Sequence, residues 1–230
     1  MSKSQVCEVT PVAGAKAGLF FLQGQYAFRW IQEGAERTKL VSPASVRGAF
    51  SKEPIDSGWL PEGVLRCGNG SRGAWMVKWY PPAIYRLTID NDGKLKRIKA
   101  PMPSLIWFGQ KTHYYLWAAK EAKPKPNAAL YRVPVPNVDH HGLICFGNNA
   151  HPDVAAGGFE KTWKMFWDAP FSEHHDNGKS KTHKEGIIDK LTGLGRLTRY
   201  PVGDLVSAGV TFEQAIARLT RRDRNDFDGY

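Results

Sequence analysis

Apolar and polar positions alternate in short runs through most of the chain and take a helical spacing only in its last third. Gly18–Leu22 and Tyr26–Ile31 are apolar and aromatic runs parted by Gln23-Gly24-Gln25, a hairpin pattern. Ser42-Pro43 offers a helix N-cap with proline at the first helical position, so a short helix is expected over Pro43–Phe50. Asp56-Ser57-Gly58 and Pro61-Glu62-Gly63 read as turns, with Trp59 and Leu60 packed between them. Six strand-like runs follow: Val64–Cys67, Ala74–Tyr80, Ile84–Ile89, Leu95–Ile98, Leu105–Phe108 and Tyr114–Ala119. Glycine, proline and Asn-Asp-Gly breakers separate them, which predicts an antiparallel meander. Glu121–Asn127, with two Lys-Pro pairs, is a loop.

Beyond residue 158 the period changes. Phe159, Trp163, Phe166 and Trp167 fall on one helical face, and Pro170 stops that helix. Asp176–His183 is polar and expected to be a mobile loop. Thr211-Phe212-Glu213-Gln214 resembles a capping box, opening a last helix over about Phe212–Leu219. Arg221–Tyr230 is a charged tail with little to bury. The fold class is therefore α+β.

A chain of 230 residues accommodates one or two domains and a sizeable core. No apolar run approaches the roughly 18 residues of a membrane span, and Met1–Thr10 lacks the apolar stretch of a signal peptide. The three cysteines, Cys7, Cys67 and Cys145, have no framework spacing, which points to free thiols in a reducing cytoplasm. The net charge of +10 is unevenly placed: residues 76–135 hold eleven Lys/Arg against three Asp/Glu. Such an excess suits nucleic acid or an acidic protein, and equally a set of solvated lysines on exposed strands.

Two motifs are set aside. Gly68-x-Gly70-x-x-Gly73 matches a dinucleotide fingerprint in form, but strand-like Ala74–Tyr80 follows it where that motif needs a helix N-terminus. It reads as a hairpin turn. His140, His141, Cys145, His151, His174 and His175 invite a metal, and Asp139-His140-His141 echoes a phosphoesterase motif. Their spacing lacks the ligand pairs of zinc sites, so neither a metal nor a cofactor is expected.

The stretch that organises the rest is Leu130–Gly147, L-Y-R-V-P-V-P-N-V-D-H-H-G-L-I-C-F-G. A strand-like run meets Pro134 and Pro136, which end regular pairing. A polar loop then leads through Leu143-Ile144 to Cys145, a thiol held at the edge of a core; an inert buried cysteine is the plainer reading. Pro136-Asn137-Val138 followed by Gly142-Leu143-Ile144-Cys145 resembles the active-site signature of ubiquitin-conjugating enzymes, H-P-N-[IV]-x-x-x-G-x-[IV]-C, with the Asn-to-Cys spacing of eight residues. D-S-G-W-L-P at Asp56–Pro61, L-Y-x-x-P-x-P-N-V at Leu130–Val138 and W-x-x-F-W-x-x-P-F-S-x-H at Trp163–His174 resemble a bacterial branch, the B proteins of PRTRC plasmid cassettes. The likeness runs over about residues 18–175. Val135 stands where that signature has its histidine.

The resemblance implies a UBC-like fold: an antiparallel β-meander with an active-site loop and flanking helices, here preceded by a β-hairpin extension. The expected parts are an extension over 1–42 packed on the core, a core over 43–175 with the active-site loop at 134–150, and a mobile loop, helices and tail over 176–230. It also implies an acyltransferase that carries a ubiquitin-like protein as a thioester on Cys145 and passes it to an amine. Implied partners are a ubiquitin-like protein, a ThiF-type activating enzyme and a JAB-type isopeptidase. Asn137 would stabilise the thioester oxyanion, or simply brace the loop. His174 would take the proton from the attacking amine, with Glu173 or Asp176 as substitutes and a plain surface histidine as the alternative. Asp139 and Asp153 disfavour a protease-like activated thiolate and favour the approach of a protonated lysine. Two rival readings stand beside this one. One is a non-catalytic adaptor that binds the ubiquitin-like protein, and the other is a nucleic-acid-binding cassette protein using the basic meander.

Overall fold

The computed structural model describes residues 16–22, 25–50, 59–70 and 72–220. The chain forms two compact units, Met1–Trp59 and Leu60–Tyr230.

The first unit pairs β1 (Ala17–Leu22) with β2 (Gln25–Gln32) in the expected hairpin, and adds β3 (Ala35–Val41) beside β2. The third strand escapes sequence reading because A-E-R-T-K-L-V is exposed at every position but its last. Helix α1 (Pro43–Phe50) starts as predicted, with Ser42 Oγ accepting from the Ser45 amide at 3.0 Å. The turn expected at Asp56–Gly58 lies outside the described residues. Trp59 and Leu60 are exposed rather than packed.

In the second unit the six predicted strands all form: β4 (Val64–Gly70), β5 (Gly73–Tyr80), β6 (Ala83–Asn91), β7 (Lys94–Met102), β8 (Ser104–Gln110) and β9 (His113–Ala119). They do not form one continuous meander. A six-stranded antiparallel sheet runs β12-β10-β9-β8-β5-β4, with β10 at Ala129–Arg132 and β12 at Ser207–Thr211. The β6–β7 hairpin is set aside in a second sheet, where β6 also pairs in parallel with the two-residue β11 (Pro170–Phe171). Prolines make the break. Pro81-Pro82 stand between β5 and β6 and Pro103 between β7 and β8, so β5 pairs directly with β8. Gly70 faces Gly73 across the β4–β5 hairpin, the turn reading of the glycine motif.

β8 is buried along its whole length, and its alternation serves two cores. Leu105 and Trp107 join the face covered by α2 (Gly158–Asp168) and α3 (Ile187–Gly193). Ile106 and Phe108 join the face covered by α4 (Phe212–Thr220). The α4 capping box forms as predicted: the Gln214 amide donates to Thr211 Oγ1 at 3.3 Å, and the Thr211 amide donates to Gln214 Oε1 at 2.9 Å. Helix α2 buries Phe159, Phe166 and Trp167 and stacks Trp163 on Tyr80 with centroids 3.7 Å apart. Glu160 of α2 also accepts from Lys78 Nζ at 2.7 Å and from Tyr80 at 3.2 Å, fixing the helix over β5.

Candidate active site around Cys145

β10 pairs with only the far half of β9, matching Tyr131 to Ala118 and Arg132 to Trp117. Pro134 and Pro136 then lead the chain away, since neither can donate to a ladder. The vacated edge of β9 is taken by residues returning from the excursion. The Leu116 amide donates to Gly142 O at 2.8 Å, and the Ile144 amide donates to Tyr114 O at 3.0 Å. Within the excursion Val138 bridges Ile144. Asp139 closes the turn, its Oδ1 accepting from the His141 and Leu143 amides at 2.8 Å each. Gly142 has φ +93°, and a Cβ there would lie 2.5 Å from Trp117 Nε1, so the position admits only glycine.

Cys145 emerges just beyond this bridge with its thiol exposed. Its amide donates to Asn137 O at 2.9 Å, and the Asn137 amide donates to His174 O at 2.7 Å. The backbone of Asn137, itself left-handed at φ +60°, therefore links the other two sequence-chosen residues. All three line one open cleft of about 430 Å³, with Phe146, Met165, Phe166 and Pro170 among its apolar walls. Asn137 Nδ2 donates to Pro170 O at 3.2 Å, while Ser172 Oγ donates to its Oδ1 at 3.5 Å. The amide thus braces β11 just beyond α2 and still faces the thiol's cleft, and it retains a second N–H.

The other singled-out residues have different places. Asp139 is a turn closer, and Asp153 Oδ1 caps a short 3-10 turn over Val154–Ala156 by accepting from the Ala155 amide at 2.7 Å. His151 stacks on Phe146 with centroids 4.6 Å apart. His174 is exposed and lies against His175 at 3.9 Å between centroids. Burial, then the neighbouring His174, lowers the pKa of His175. Glu173 and Asp176 line a separate cleft of about 310 Å³ with Asn91, Glu185 and Asp189. Burial raises the Asp176 carboxyl. Among the described residues no group of three or more His, Cys, Asp or Glu is arranged to hold a metal ion.

Asp176–His183 is a loop by backbone, yet Lys179 and Ser180 within it are buried. Lys179 Nζ donates to Val138 O in the active-site excursion. Nothing in a polar run marks one lysine as buried, so sequence reading passes it over. Further along, Thr182 and Lys190 converge on Asp204, Lys190 Nζ at 3.0 Å and Thr182 Oγ1 at 2.8 Å, and Tyr200 adds a bond at 3.1 Å. Burial alone would raise the Asp204 carboxyl; bonds from Ser180, Thr182 and Lys190 outweigh it and hold it well below the usual carboxylate range.

Comparison with known families decides the kinship. Residues 37–208 match the family model of prokaryotic E2 family D, a span that includes Asn137, Cys145 and His174. The chain belongs to prokaryotic E2 family D. Its antiparallel sheets with few helices are compatible with an E2-like fold. Among curated proteins, the family D chain is similar to a serine hydroxymethyltransferase of Picrophilus torridus, 26% identical over 172 residues. That stretch is 73% of this chain but only 38% of the relative's length, too little to carry an activity across. No solved structure matches the chain. No helix among the described residues is long and apolar enough to cross a membrane.

Proposed function

We propose that this family D protein is a conjugating enzyme that carries a ubiquitin-like protein as a thioester on Cys145. The observation that supports it best is the exposed Cys145 thiol sharing a cleft with Asn137 and His174, in a chain of E2 kinship. The ubiquitin-like protein arrives as a thioester on a ThiF-type activating enzyme. The Cys145 thiolate attacks the carbonyl carbon, a new C–S bond forms, and the activating enzyme's thiolate leaves. An acceptor amine then attacks the same carbon, the C–N bond forms, Cys145 leaves as thiolate and the amine proton passes to a base.

Each neighbour has a task in that scheme. The second N–H of Asn137 donates to the carbonyl oxygen as negative charge develops there, while its bond to Pro170 O keeps the amide oriented. His174, exposed at the cleft, accepts the amine proton. The apolar walls Phe146, Met165 and Phe166 exclude water from the thioester. A JAB-type isopeptidase would reverse the product, and the resemblance to PRTRC cassette proteins supports a plasmid-borne gene. One observation favours the adaptor reading: Val135, in the motif's histidine position, is a fully buried core residue.

The test mixes the purified protein with its activating enzyme, ATP and the ubiquitin-like partner. A reductant-labile adduct is expected, and Cys145→Ser should lose it or give a slower, reductant-resistant ester. A reductant-labile adduct that persists in Cys145→Ser would remove Cys145 from the site. Tight binding with no adduct at all would establish the adaptor.

A further inference from the structure

Val135 offers the active-site excursion no hydrogen bond. Its side chain is buried among Val133, Val138 and the core around Trp107. The excursion is instead held from the segment after His175. Lys179 is 2% exposed, and its Nζ donates to Val138 O. The backbone that presents it is pinned on both sides. Arg132 Nη1 donates to Gly178 O at 2.9 Å, the Gly178 amide donates to Lys184 O at 2.7 Å, and Ser180 bridges Leu205. Gly178 has φ +63°, and a Cβ there would come within 2.9 Å of Arg132 Nη1, so this clamp is shaped closely around the lysine's neighbour.

Burying a lysine against one backbone carbonyl is an expensive way to fill space; an apolar side chain would do so at lower cost. The expense is explained by where the carbonyl lies. Val138 sits between Asn137 and Asp139 and bridges Ile144, the residue before Cys145. We infer that Lys179 is a positioning residue of the candidate active site: by holding Val138 O it sets the spacing between Asn137 and the Cys145 thiol. The bridge Val138–Ile144 and the bond from the Cys145 amide to Asn137 O transmit that hold to both residues.

The charges around Nζ set its state. Burial pulls the lysine down most strongly, Asp139 and Asp176 oppose it, and Arg132 adds to it, leaving a pKa of about 7. His175 also faces the lysine, and His140 lies against Gly178. The bond to Val138 O needs only an N–H, which ammonium and amine both supply.

The role in transfer rests on the conjugating-enzyme reading; the brace does not, and the experiment separates them. Lys179→Met keeps the stem and removes the donor. In the folded variant, amide exchange at Ile144 and Cys145 should accelerate by roughly ten-fold or more, while Trp107 and Phe108 of β8 keep their protection. Lys179→Arg, which retains a donor, should restore slow exchange. Under the conjugation assay, Lys179→Met should load but discharge to free lysine about ten-fold more slowly, with Lys179→Arg between it and the parent. Unchanged exchange at Ile144 and Cys145 overturns the brace, whatever the assay reads. Faster exchange with unchanged discharge overturns the positioning role. In the unmodified protein, the Val138 carbonyl carbon should shift with the same midpoint as Lys179 Nζ, near pH 7. A Val138 carbon that ignores the lysine overturns the contact even if Lys179→Met fails to fold.

Discussion

The amide of Cys145 donates to the carbonyl of Asn137 across 2.9 Å, so residues eight apart in sequence are neighbours at one end of a cleft. The same backbone that places the thiol also places the amide. A side-chain change at Asn137 leaves that backbone bond in place, which makes the residue suitable for separating chemistry from scaffolding.

Asn137→Ala should slow transfer to lysine by roughly ten-fold or more, about 1.4 kcal/mol or greater, if its N–H meets the oxyanion only during transfer. The bond to Pro170 O is also lost and alanine tolerates the left-handed φ +60° less well than asparagine, together a cost of about 1–3 kcal/mol in stability. Single-turnover discharge and melting temperature, read together, decide. A several-degree fall in melting temperature with loading and transfer reduced equally would make Asn137 a brace alone.

Gly142→Ala should destabilise the protein by more than about 1 kcal/mol. The new Cβ would need φ +93° and would press on the Trp117 indole. Denaturant unfolding monitored by tryptophan fluorescence measures it, and a variant as stable as the parent would refute the packing described for this turn.

Asp204 supplies an acid-sensitive contact. Its carboxyl is held down in the folded state, so below the unfolded value of about 3.9 the unfolded chain binds more protons. Its contribution is therefore complete above about pH 4 and lost as pH falls further. Asp204→Asn should cost about 3–5 kcal/mol at neutral pH by leaving Lys190 buried without its partner, and should flatten the acid limb of the stability curve. Urea melts across pH 2–7 would show an unchanged acid limb if the pair were unimportant.

Lys179 shifts stability in the same direction with pH, but through a burial penalty rather than a favourable contact. Its folded value of about 7 lies below the roughly 10.4 of an unfolded lysine. Between those values the unfolded chain holds the extra proton, so this group makes stability rise with pH, by up to about 1.4 kcal/mol per unit. Below pH 7 its burial penalty is present in full. Lys179→Met should be relatively more stable than the parent at pH 6 than at pH 9. Chemical denaturation at the two pH values tests the sign.

Elements with a local cause were legible. The helix at Pro43 declares itself through Ser42-Pro43, the last helix through Thr211 and Gln214, and the strands through apolar runs between breakers. Their arrangement was less so: nothing local says that β5 will skip the β6–β7 hairpin and pair with β8. β12 and α3 went unseen because S-A-G-V-T has little periodicity and I-I-D-K-L-T-G follows a polar loop. In the candidate site, Cys145 and Asn137, chosen from the spacing of one motif, and His174, chosen from another, line one cleft. Lys179 was invisible, since burial of one lysine in a polar run depends on Arg132 and Leu205, residues far away in sequence.

The route of β5 to β8 also bears on how the protein acquires its structure. Tyr80 must find Leu105, and Trp75 must find Gln110, across the whole intervening hairpin, a loop closure larger than any within a simple meander. The β6–β7 hairpin can zip by itself in microseconds, but β8 gains both its neighbours only when that distant pairing is made. Residues 142–144 lie on β9, which closes on β8 as a local hairpin, but the cleft wall Phe166 packs on Trp107, so the cleft around the thiol is expected to be completed only as that core is made. Rapid-mixing refolding should accordingly show Trp107 burial preceding, or coinciding with, the appearance of native reactivity at Cys145.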